Sequence, residues 1–164
     1  MVLDQKMQQM VGAPGPVPEI PECYGARHVP GIPGLQIPTL RITNGPVGVG
    51  QNDCVPKDKI ASDSPFSLLG SRFSAKATML PSAIGVAASF DPKVAAQVGD
   101  VIGTESRNLA LHVLEGPGVN LARVLNLGRN FEYFGEDPML SGSMAAAEIK
   151  AVQSHGVIAM AKHL

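Results

Sequence analysis

Asp91 to Leu114 reads DPKVAAQVGDVIGTESRNLALHVL, and two elements are written into it. Asp91 is a good N-cap, since its carboxylate can accept from the unpaired N–H groups of a first turn, and Pro92 fits the first helical position, where no N–H is needed. Val94, Ala95, Val98, Val101, Ile102 and Leu109 then recur at helical spacing, which predicts a helix through Ala110. Leu111 to Leu114 is a short apolar run that reads as a buried strand. Downstream, an alanine-rich helix is expected from about Met139 to His155, with Gly156 as the residue that lets the chain leave it. Val157 to Met160 is a second short strand.

Upstream, Thr39 to Thr43 is a β-branched strand ending at Asn44, and NGPVGVGQNDCVP follows as a loop. Thr78 to Phe90 is ambiguous, its second half suiting a short buried strand. Leu3 to Met10 suits a short amphipathic helix, which the glycines and prolines from Gly12 onward stop. Strand, helix and strand alternate over the second half, so the fold class is α/β with parallel strands, the units from which α/β barrels are built. Polar residues fall at the strands' C-terminal ends, the face that carries the active site in such barrels. Asn44, the loop after Leu114, and the pair Lys162 and His163 are therefore expected to converge.

Full barrels of this kind need about 250 residues, so the 164 present imply an incomplete one. A net charge of -1, with 16% charged and 4% aromatic residues, gives no footprint for nucleic acid or an acidic membrane surface. A small neutral ligand fits better. The opening MVLDQKMQQMVG has no basic end followed by an apolar run, so no leader is read there and no compartment is assigned. The longest weakly polar run, Ala75 to Phe90, is too short to span a bilayer. Cys23 and Cys54 stand in no metal-binding spacing and are read as free thiols. No cofactor or metal is expected.

Lys162 and His163 are adjacent donors just past a strand, able to hold neighbouring hydroxyls of a sugar; a surface lysine beside a structural histidine is the alternative. Arg129, in GRNFEYFGEDP, can bind ligand hydroxyls or pair with Glu132, Glu136 or Asp137. Those three carboxylates crowd one loop, whereas a retaining glycosidase pair faces the anomeric centre from two sides, roughly 5 to 5.5 Å apart. Turn formation and helix capping before Pro138 account for Glu136 and Asp137. The glycines of GPVGVG and EGPGVN lack the order of a phosphate cradle. No nucleophile elbow is present, and His28, His112 and His155 read as structural or solvated.

The strings GPGVNLARVLNLGRNFEYFGEDPMLSG and QSHGVIAMAKHL closely resemble the signature region of glycoside hydrolase family 3. The likeness extends back through KATMLPSAIGVAASFD and ITNGPVGVG to LDQKMQQMVG, nearly the whole chain. It implies a TIM-like barrel that binds a non-reducing-end sugar, commonly β-glucose or β-xylose, with Arg129, Lys162 and His163 as hydroxyl ligands. It places Asn44 where most members have an Asp that grips two hydroxyls, Gly50 where many have an Arg, and Leu164 where an aromatic is usual. At Asn44 the charge-assisted bonds of a carboxylate become ordinary ones.

The same resemblance implies a retaining exo-acting β-glycosidase of the β-glucosidase type. Its nucleophile and acid/base are expected downstream of the Lys162–His163 pair, so residues 1–164 read as the N-terminal portion of a single barrel domain, cut after Leu164 and inactive alone. Weak glucose binding is expected, as is self-association through exposed barrel edges. A noncatalytic carbohydrate-binding or interaction protein that kept the motifs is the alternative.

Overall fold

In a computed structural model of the chain, residues 1–10, 28–50 and 77–164 are described. Cys23 and Cys54 lie outside them. The elements follow in the order α1 (Leu3–Gln8), β1 (His28–Val29), β2 (Leu40–Asn44), α2 (Ala83–Ala87), α3 (Pro92–Asn108), β3 (Val113–Glu115), α4 (Pro138–Ser154) and β4 (Ile158–Ala159). They build one four-stranded sheet in sequence order, β1 antiparallel to β2, then β2, β3 and β4 parallel. Helices carry the chain from β2 to β3 and from β3 to β4, which is the repeating unit of a (β/α) barrel.

Register separates the two faces of the sheet. Thr43, Leu114 and Ala159 are partners across β2, β3 and β4, and Leu114 and Ala159 pack into the core with Ile102, Met144, Val152 and Val157. The alternate residues, Ile42, Val113 and Ile158, and beyond them Asn44 and Glu115, face the other way, into the barrel interior.

The capping signals act as the sequence implies. Asp91 accepts from the Lys93 N–H at 2.9 Å, and Asp137 accepts from the Leu140 N–H at 2.7 Å at the start of α4. Gly156, at φ +74°, turns the chain out of α4 toward β4. Helices α3 and α4 approach closely because α3 has glycines at the crossing: a Cβ on Gly99 would lie 2.5 Å from the Glu148 carbonyl, and one on Gly103 would lie 2.6 Å from the His155 ring.

One expectation is corrected. The second half of 78–90 is helix α2, not a strand. Ala83, Val86 and Ala87 are its buried residues, a helical spacing that five residues of alternating small and apolar character do not reveal. Helix α1 forms as expected but buries none of its residues; it is tethered through Gln9, whose side-chain amide donates to the Pro30 carbonyl at 2.7 Å. No helix among the described residues is long and apolar enough to cross a membrane.

Candidate functional site

The C-terminal ends of β2, β3 and β4 are drawn together by backbone pairing that continues past the strands. The Lys162 N–H donates to the Pro117 carbonyl at 3.1 Å and the Val119 N–H to the Lys162 carbonyl at 2.7 Å, so the loop after β3 and the segment after β4 run side by side. Gly118 sits between them, bridged to both Lys162 and Tyr133. Its missing side chain is what permits this, since a Cβ there would lie 2.8 Å from the Glu132 carbonyl. The Gly116–Pro117 and Lys162–His163 peptides are cis.

Asn44, Arg129, Lys162 and His163 meet at this end of the sheet. The Lys162 ammonium donates to Asn44 Oδ1 at 2.7 Å, and Arg129 Nη2 lies 2.8 Å from His163 Nε2. The Arg129 Nε–H donates to Glu132 Oε1, so the ion pair weighed from sequence is present and coexists with a second arm reaching the histidine. The Glu132 side chain is 7% exposed and that of Arg129 is 54% exposed: a buried carboxylate holds the guanidinium from beneath while its outer edge stays open. Glu115, Met160, Ala161, Lys162, His163 and Leu164 line a recess of about 460 Å³.

A guanidinium can only donate, so His163 Nε2 accepts and the ring proton sits on Nδ1. That proton is directed at Asn120 Oδ1, 2.9 Å away, and the same oxygen accepts the His163 N–H at 2.7 Å. Tyr133 closes on the ring edge-to-face at 6.0 Å between centroids. Burial, then Arg129, then Lys162 hold the His163 pKa below its ordinary value, which keeps the imidazole neutral at pH 7 in agreement with its acceptor role.

Sequence reasoning brought the loop after Leu114 to the site but singled out no residue of EGPGVN, and so missed Asn120, which fixes the His163 ring, and Glu115, which lines the recess. The available signal was position: Glu115 ends β3 and Asn120 lies in the loop that follows it, at the strand end that faces the site. Asn44 has its own local support. The loop 44–50 folds back so that the Gly50 N–H donates to the Asn44 carbonyl at 2.7 Å, and a Cβ at position 50 would stand 2.7 Å from that oxygen. The glycine noted in the sequence is thus required by the closure of this loop.

Polar side chains gathered beyond the C-terminal ends of helix-backed parallel strands define the ligand-binding end of a (β/α) barrel. The chain belongs to glycoside hydrolase family 3: residues 68–164 match the model described as Glycosyl hydrolase family 3 N terminal domain. It is similar to thermostable beta-glucosidase B of Acetivibrio thermocellus, with 40% identity over 136 residues, covering 83% of this chain and 17% of that protein. Among solved structures, beta-glucosidase 3B from Thermotoga neapolitana in complex with glucose superposes with a TM-score of 0.80 at 30% identity, covering 99% of this chain and 22% of that one. DesR, a beta-glucosidase from Streptomyces venezuelae in complex with D-glucose, gives a TM-score of 0.72 at 33% identity over 100% of this chain and 18% of that one. The chain thus spans about a fifth of the length of the relatives it matches.

Proposed function

We propose that residues 1–164 supply the hydroxyl-binding part of the sugar site of a retaining, exo-acting β-glycosidase of the β-glucosidase type. The observation that carries this is the pair of linked contacts, Lys162 with Asn44 and Arg129 with His163, which assembles donors and acceptors from three strand ends into one polar surface. Such a surface matches neighbouring hydroxyls of a pyranose ring better than an apolar ligand. Two of the similar structures hold glucose, which supports glucose as the first sugar to try.

The attacking and protonating carboxyl groups are not assigned to these residues. Glu132 is committed to Arg129 and Asp137 to the cap of α4, and retaining hydrolysis needs two carboxyl groups facing one anomeric carbon. The strand β4 has a neighbour on one side only among the described residues, and Ile158 within it and Met160 just past it are exposed. An uncovered parallel edge of this kind favours self-association.

Saturation-transfer NMR with glucose tests the reading. Transfer from the wild-type chain that is lost in Lys162→Ala and in Arg129→Ala is the expected result. Equal transfer in all three proteins would refute it.

A further inference from the structure

We propose that Glu115 is the carboxylate of this site that accepts hydrogen bonds from the sugar hydroxyls, an assignment that rests on the sugar-binding reading above. A hydroxyl donates as well as accepts, so a site built of cations leaves its hydrogens unanswered. Arg129 and Lys162 only donate. Asn44 commits Oδ1 to Lys162 and has its NH₂, another donor, to offer. His163 uses Nε2 toward Arg129 and Nδ1 toward Asn120, and Glu132 lies buried beneath Arg129. Among the described residues the acceptor side of the site is therefore short of a group.

Glu115 fills that position geometrically. It is the register partner of Asn44, so the two side chains leave neighbouring strands, about 4.8 Å apart, on the same face of the sheet. That face is the barrel interior, because Leu114 between Val113 and Glu115 packs into the helix-side core. Glu115 lines the same recess as Lys162 and His163, and its negative field reaches the His163 ring. Among the described residues no hydrogen bond or ion pair engages its carboxylate. A vicinal diol held between the two strand ends would donate to Glu115 and accept from Asn44 and Lys162. A pyranose with adjacent equatorial hydroxyls is the ligand class this suits.

The experiment compares glucose titrations of the 164-residue chain with those of Glu115→Gln, Lys162→Ala and the exposed-site control Glu136→Gln, all followed by NMR. Glu115→Gln keeps shape and polarity but loses the charge, so the expected result is glucose binding weakened by about tenfold with the melting temperature unchanged. The control should bind as wild type. The His163 ring resonances give a second reading without any sugar: losing the Glu115 charge should move the His163 titration to lower pH. Unchanged glucose binding in Glu115→Gln, with binding lost in Lys162→Ala, would overturn the Glu115 assignment and leave the sugar site standing. Absence of glucose binding by the wild-type chain would overturn both.

Discussion

Lys162 Nζ donates to Asn44 Oδ1 at 2.7 Å, joining the end of β2 to the residues just past β4. Asn44→Asp would turn this bond into an ion pair and return a second charged acceptor to the site. Glucose affinity should rise by about three- to tenfold, since charge-assisted hydrogen bonds are roughly twice as strong as neutral ones. Calorimetric or NMR titration checks this, and Asn44→Ala should shift the affinity the other way.

Arg129 bridges a buried carboxylate and a neutral histidine, two tasks that use different edges of its planar fork. A lysine, as a single point charge, can serve one of them. Arg129→Lys should therefore lower glucose binding nearly as much as Arg129→Ala. Both changes remove the hydrogen bond to Nε2. In Arg129→Ala the positive field that depresses the His163 pKa also goes, while Glu132, which raises it, stays. The His163 titration should then move to higher pH, as followed by the ring proton shifts.

Burial raises the Glu148 pKa to about 8 from 4.5, and its Oε1 has no hydrogen-bond partner among the described residues. The folded chain thus holds a proton on Glu148 that the unfolded chain releases above pH 4.5. Stability from this group is fully present below that pH and is lost as pH rises toward 8. Glu148→Gln should be close to neutral at pH 4 and stabilising at pH 7 by roughly 3 kcal/mol, at about 1.4 kcal/mol per pH unit. Thermal melts across pH 4 to 8 test the slope. His112 acts in the opposite sense. Burial, then Arg41, then Arg107 lower its pKa from 6.5, and its Nδ1 accepts the Arg41 N–H at 3.0 Å. Its contribution is present above pH 6.5 and is lost as pH falls below that value.

Two glycines of the helix pair should respond oppositely to alanine. Gly99→Ala puts a Cβ 2.5 Å from the Glu148 carbonyl and must push α3 from α4; a loss of about 2 kcal/mol is expected, typical of overpacking. Gly142, within α4, has nothing within 4 Å of an added Cβ, so Gly142→Ala should gain about 0.5 to 1 kcal/mol from helix propensity alone. Denaturant unfolding of the two variants decides it.

The long elements were legible because their signals are local. Asp91 with Pro92, and Asp137 with Pro138, announce helix starts by side-chain chemistry that the structure repeats bond for bond. Helix α2 was not legible, since Ala83 to Ala87 owes its state to packing against α3 and α4 rather than to a cap or a long period. The meeting of Asn44, Arg129, Lys162 and His163 followed from strand ends and from resemblance. The Arg129–Glu132 pair was visible at three residues' spacing. Asn120 and Glu115 were hidden because their partners lie 43 residues away in sequence for the first and on the neighbouring strand for the second; position brought the loop to the site, but no motif within EGPGVN singles out either residue.

Complementation of activity tests the central claim most directly. The 164-residue chain is assayed on an aryl β-glucoside alone and after co-refolding with the remaining, downstream part of beta-glucosidase 3B from Thermotoga neapolitana. The expected result is no turnover above background by the chain alone and turnover in the mixture that Lys162→Ala removes. Turnover by the chain alone, abolished by Lys162→Ala or Arg129→Ala, would contradict it, because residues 1–164 would then hold the attacking and protonating carboxyl groups themselves.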